Sequence, residues 1–156
     1  MATYTDSLGF NKGAAAFDAV GLTKVNRVEV ELDFATIVAA RLAAGATALA
    51  SGDVLEVLPL PAKALVMHVG VDVVEGGTTG LTLDVGDGTD PDGYLDGVAG
   101  DAVGSFASVT TESSDAIVGL SAGKYYSAAD TVDLVLVGQV PGALKCRVWA
   151  LVADAS

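Results

Sequence analysis

From Lys24 to Phe34 the chain alternates strictly. Val28, Val30, Leu32 and Phe34 face one way, and Arg27, Glu29, Glu31 and Asp33 face the other. A period of two marks a strand with one face buried and the other in water. The alternation returns from Leu144 to Val152, where Leu144, Cys146, Val148, Ala150 and Val152 oppose Lys145, Arg147, Trp149 and Leu151. Strands of this kind need a second apolar layer to cover them, which in an all-β chain means two packed sheets. Trp149 and Leu151 stand on the nominally outer face, so something must cover them, either a helix or a neighbouring subunit.

Between these strands the pattern predicts more of the same. A strand runs from Asp53 to Leu58 and ends at Pro59 and Pro61, which cannot donate ladder hydrogen bonds. Lys63 to Glu75 is the clearest strand, with Leu65, Met67, Val69, Val71 and Val73 on one face and His68 and Asp72 opposite. Glu75-Gly76-Gly77-Thr78 reads as a hairpin turn into a strand from Thr79 to Val85. Weak strands are expected near Phe106–Thr110 and Ala116–Val118, and a firm one from Thr131 to Val137, followed by a turn at Gln139-Val140-Pro141-Gly142. One segment changes period. In residues 34–44, Phe34, Ile37, Val38 and Leu42 fall on one helical face, with Asp33 as N-cap and Gly45 as stop. About eight strands and one short helix imply an all-β fold, a β-sandwich or jelly roll. We divide the chain into an N-terminal arm, residues 1–23, and a single sandwich domain, residues 24–156. The arm's apolar residues follow neither period and include Phe10 and Phe17.

Apolar residues make up 51% of the 156-residue chain. This suits either a core rich in Ala, Val and Leu or, since several strands are apolar on both faces, a subunit that hides surface against copies of itself. The net charge is −12, and residues 51–100 carry one basic and nine acidic groups. This acidic balance argues against direct nucleic-acid binding, which needs Lys and Arg to displace phosphate counterions. Cys146 is the single cysteine, so no intrachain disulfide is possible. No apolar run reaches the ~18 residues a membrane helix requires, and no signal pattern opens the chain. The expectation is assembly in a reducing cytoplasm, with no membrane partner.

The residues offer little catalytic chemistry. His68 is the only histidine, and no Gly-x-Ser-x-Gly elbow accompanies it. One Cys and one His do not make a usual zinc site. Calcium is the one metal with a candidate ligand set: Asp84, Asp87, Asp90, Asp92 and Asp96 are spread over a Gly/Pro-punctuated loop. The EF-hand spacing is absent, with Gly88 and Ala99 where acidic ligands belong, and Asp, Gly and Pro also serve as turn formers. Tyr94, Tyr125 and Tyr126 are the available sugar-stacking platforms. No cofactor and no enzymatic activity are expected.

Asp84 to Gly97 (DVGDGTDPDGYLDG), Lys124 to Val137 (KYYSAADTVDLVLV) and Arg147 to Asp154 (RVWALVAD) resemble a family of small structural proteins of tailed bacteriophages. Ala50 to Val74 resembles the segment that precedes the aspartate loop in that family, so the similarity covers about two-thirds of the chain. The resemblance implies a head decoration or cement protein, a homotrimer bound to the major capsid protein on the capsid exterior. On this reading Phe10 and Phe17 contact the capsid, and Trp149 and Leu151 form the subunit interface. The alternatives are another virion position (tail or head–tail junction) and a calcium- or glycan-binding sandwich module. The helix at 34–44 has no place in the family's pattern.

Overall fold

The computed structural model describes residues 25–108 and 123–154. They form nine strands and one helix: β1 (Val25–Asp33), α1 (Phe34–Ala43), β2 (Val54–Leu60), β3 (Ala64–Glu75), β4 (Thr82–Gly86), β5 (Leu95–Ala99), β6 (Phe106–Ser108), β7 (Lys124–Tyr126), β8 (Asp130–Val137) and β9 (Lys145–Asp154). The first sheet has the order β1-β9-β3, with β6 and β7 both paired to β3. The second has the order β2-β8-β4-β5. All pairings are antiparallel.

The chain changes sheet at every connection except β4–β5 and β6–β7. If β6 and β7 count as one interrupted strand position, this is two four-stranded sheets linked in jelly-roll order. The expected β-sandwich or jelly roll is therefore a jelly roll. The alternating residues of β1 and β9 do what their period demands: Leu32, Cys146, Val148, Ala150 and Val152 are buried, and they meet Leu83, Val85, Leu134 and Leu136 in one apolar cluster.

Helix α1 begins and ends where expected. Asp33 caps it by accepting the Thr36 N–H at 3.2 Å, and the last turn closes at Ala44, just before Gly45. Phe34 and Ile37 are buried and Val38 packs against the core, but Leu42 is 56% exposed and does not join the packing face.

Four local expectations differ from the structure. In β3 a bulge at Met67 shifts the register between Val66 and His68. Ala64 and Val66 therefore point inward before it, Val69, Val71 and Val73 after it, and Leu65 and Met67 outward. Four consecutive apolar residues, Ala64 to Met67, leave the parity open to either choice. Glu75–Thr78 is not a hairpin turn, because β3 and β4 lie in different sheets. Strand β2 runs through Pro59 to Leu60; it is an edge strand, where a missing N–H is tolerated. Strand β5 was not expected. Its alternation is hidden by a bulge at the glycine position Gly97 (φ +71°), which puts Leu95 and Val98, both buried, three residues apart. The expected strand near Ala116–Val118 and the arm at 1–23 lie outside the described residues.

Gly70, in the middle of β3, leaves room for the indole of Trp149 on the neighbouring strand. A Cβ there would come within 2.3 Å of the ring. We predict that Gly70→Ala displaces Trp149 and costs about 1–3 kcal/mol. A red shift of the single tryptophan's emission together with a lower denaturant midpoint would be the expected result.

Candidate functional site

The aspartate loop is a compact, self-bonded turn between β4 and β5. The Asp87 N–H donates to the Asp90 carbonyl at 2.9 Å, the Gly93 N–H to the same carbonyl at 3.1 Å, and the Tyr94 N–H to the Val85 carbonyl at 2.8 Å. The Asp87 side chain turns back on its own loop: its Oδ1 accepts the N–H groups of Thr89 (2.9 Å) and Asp90 (3.1 Å). This is an Asx-type turn, the reason Asp is favoured at such a position.

The other oxygen of Asp87 reaches across the sandwich. Oδ2 accepts hydrogen bonds from the Lys124 ammonium and the Tyr126 hydroxyl, and the Tyr126 and Tyr94 hydroxyls bond to each other. Asp87 is 2% exposed and Tyr94 1%. The Lys124 Nζ also lies 5.4 Å and 5.8 Å from the ring centres of Tyr126 and Tyr94. Asp87 hangs from the second sheet, whereas Lys124 and Tyr126 belong to β7 of the first. The cluster therefore fastens one sheet to the other.

Burial pushes the Asp87 carboxyl up, but the Lys124, Tyr126 and backbone donors outweigh it and hold the carboxyl below its ordinary value. Both tyrosines are pushed well up, first by burial; the Asp87 charge acts in the same direction.

The remaining loop aspartates do separate things. Asp84 Oδ1 accepts the Gly97 N–H at 2.8 Å. Asp90 is exposed and held above the usual carboxylate range, first by its hydrogen bond with Asp92. Asp96 is exposed on β5. Among the described residues, no three His, Cys, Asp or Glu side chains gather in a metal-holding arrangement. Sequence reading missed Asp133. It lies on β8 opposite Glu56 and Gly86, is 3% exposed, and accepts a hydrogen bond from Thr131 Oγ1 at 2.6 Å. Burial pushes its carboxyl up to about 6 against the Thr131 bond, and the charges of Glu56, Asp130 and Asp87 add to the rise.

His68 and Cys146 are far apart in role. Cys146 faces the core, and burial pushes its thiol up to about 12. His68 lies on the outer face of the first sheet, stacked on Trp149 with ring centres 5.3 Å apart. Phe106 stacks nearly parallel to Trp149 at 6.5 Å, and the Arg27 guanidinium lies 5.0 Å from the indole centre. Trp149 is thus half-covered from within its own sheet. Of the three tyrosines, Tyr94 and Tyr126 are buried and present no stacking surface, while Tyr125 is 54% exposed.

No protein-family model matches the sequence, and no curated protein matches it significantly. Solved structures do share the fold. A chain from the acid-stable capsid of Helicobacter pylori bacteriophage KHP30 aligns with a TM-score of 0.57 at 13% identity, covering 86% of this chain and 92% of that one. A chain from the capsid of Ralstonia phage GP4 aligns at 0.55 and 17%, covering 89% and 88%. A chain from the capsid asymmetric unit of cyanophage Pam1 aligns at 0.53 and 16%, covering 96% and 97%. At these identities the likeness is one of fold.

Two predictions follow from the buried carboxyls. Asp87→Ala should cost about 2 kcal/mol in denaturant unfolding, because it removes the shared acceptor of the Lys124 ammonium, the buried Tyr126 hydroxyl and two loop N–H groups; a loss under 1 kcal/mol would contradict the fastening role. The pH dependence has two opposite arms. Asp133 binds its proton more tightly folded than unfolded, so it penalises the fold above pH ~6, and stability should rise by about 2–3 kcal/mol as pH falls from 7 toward 4. Asp87 is the reverse: its contribution is present above the ordinary carboxylate value and disappears as pH falls through its depressed one. Unfolding at pH 7, 5 and 3 should show the rise and then the fall, and Asp133→Asn should flatten the rise.

Proposed function

We propose that this chain is a non-enzymatic structural protein of a bacteriophage virion, acting as a decoration or cement protein on the head. The observation that carries this reading is the extent of the fold match. Chains from three phage capsid structures align over nearly their whole length and nearly the whole of this one. The matched chains are similar in length to this one, which supports a small capsid component that stands as its own chain. The sequence resemblance to small virion proteins points the same way.

In this reading the protein binds the major capsid protein from outside, as a homo-oligomer, and bridges neighbouring shell subunits. Many weak contacts sum through multivalency. The acidic loop end stays in solvent, where its charge opposes clumping of particles. The capsid-binding element is the N-terminal segment with Phe10 and Phe17, which could add a strand to an exposed sheet edge of the shell. Those residues lie outside the described ones, and their role is part of the proposal.

The test is a binding and stabilisation assay. Full-length protein added to particles stripped of it should bind in shell-wide copy number and raise the temperature at which DNA is released. Deleting residues 1–20 should abolish binding with the circular dichroism spectrum unchanged. Undiminished binding by the deletion variant would refute the role of the segment. Copy number matching a single ring would move the protein to the tail or head–tail junction.

A further inference from the structure

The outer face of the first sheet is divided along its strands. The pairing registers lay its side chains out in rows that run from β1 through β9 to β3 and its partners. The first row is Val25, Ala153, Leu65 and Tyr125. The second is Arg27, Leu151 and His68, with the bulged Met67 beside it. The third is Glu29, Trp149, Gly70 and Ser108. In the fourth, Glu31, Arg147 and Asp72 are joined by Phe106, and the fifth is Asp33, Lys145 and Glu75.

The last two rows carry their own ion pairs: Arg147–Glu31 at 3.2 Å, Lys145–Asp33 at 3.5 Å and Lys145–Glu75 at 3.2 Å. In the first three rows Val25 (51%), Met67 (44%) and Tyr125 (54%) are exposed apolar side chains around the half-buried Leu65, Leu151, His68 and Trp149, while Ala153, Gly70 and Ser108 are buried. Their only opposite charges are Arg27 and Glu29, paired at 2.9 Å.

We propose that the apolar half of this face, centred on Trp149, Leu151, Met67 and Tyr125, is where a second copy of this chain docks. The proposal rests on the homo-oligomeric part of the reading above and names the surface that carries it. Charge selects the occupant. The protein has a net charge of −12, so most approaches of two copies repel. These rows are charge-balanced and hold both signs, so a self-complementary contact can set Arg27 of one copy against Glu29 of the other.

Size agrees. Three rows across four strands cover about 400 Å² of sheet, enough for the centre of an interface of ~800 Å² per partner, with the ion-paired rows as its polar rim. Composition agrees as well: Trp, Tyr and Arg are the residues that dominate interface energies. The indole is already fixed by Gly70, His68, Phe106 and Arg27, so burying it loses little rotamer freedom.

Trp149 is the single tryptophan, which makes it a built-in reporter. Sedimentation of the full chain should show an oligomer, with Trp149 emission shielded from iodide. Tyr125→Glu and Met67→Glu, both at exposed positions, should keep the circular dichroism spectrum, weaken association about 30-fold or more and open Trp149 to quenching. Val103→Glu, at a residue 72% exposed outside this sheet, should change nothing. A wild-type monomer would overturn the proposal, as would variants that associate like wild type. Shielding of Trp149 only when phage particles are added would also overturn it, giving the face to the capsid. Oligomers that form through this face yet fail to bind particles would remove the virion reading and leave the interface standing.

Discussion

A sandwich whose chain crosses between layers at almost every connection must be held shut at its ends, because the inner faces alone do not fix how the sheets sit on one another. Here the two ends of the first sheet are closed by different means. Where β1 ends, α1 follows directly and lays Phe34 and Ile37 over the core, its start fixed by Asp33 and by the Phe34 N–H bonded to the Leu144 carbonyl at 3.0 Å. At the opposite end Asp87 ties the β4–β5 loop to Lys124 and Tyr126 of β7. The second closure is polar and buried, so its net worth is small: desolvation of a carboxylate and an ammonium offsets much of their attraction. Its effect is positional. Both Asp87 oxygens, two backbone N–H groups, an ammonium and two phenols are satisfied together in one arrangement, and a slipped loop would leave several of them stranded.

That closure explains the acidic loop better than its charge does. Asp84 and Asp87 each hold a backbone turn, and Asp87 also holds the neighbouring sheet. Asp133 is the cost that remains. It is buried near Glu56, Asp130 and Asp87 with one hydroxyl partner, and it is eased by taking a proton. The opposite pH responses of Asp87 and Asp133 come from the number of donors each carboxyl has, four for the first and one for the second.

The strands with one apolar parity were readable in sequence. Residues 25–33 and 145–152 lie where their alternation puts them, as does α1, because Asp33 and Gly45 bracket a change of period. What was not readable follows from two physical facts. Bulges at Met67 and Gly97 break the period of two, so the alternation points the first part of β3 to the wrong face and hides β5. Strand partners are set by packing between sheets, so Glu75–Thr78 looked like a hairpin although its strands never pair. The candidate site was legible only as composition. The Asp-rich loop and Lys124-Tyr125-Tyr126 stood out separately. Nothing in the 36 residues between Asp87 and Lys124 announces that one carboxylate joins them.

Gly70 bears most directly on what the outer face is for. A glycine in the interior of a strand costs roughly 0.5–1 kcal/mol relative to alanine, and this one lies in the longest strand of the fold. The core gains nothing from it, since the space it opens is on the outer side and is filled by an indole that remains half-exposed. A fold selected only for its interior would place a β-branched residue there and a polar one at Trp149, as it does in the rows with Arg147 and Lys145. The first sheet instead accepts a weaker strand to seat an aromatic ring, and it gathers three of this face's four ion pairs at the other end. That arrangement makes sense for a surface that is covered when the protein works.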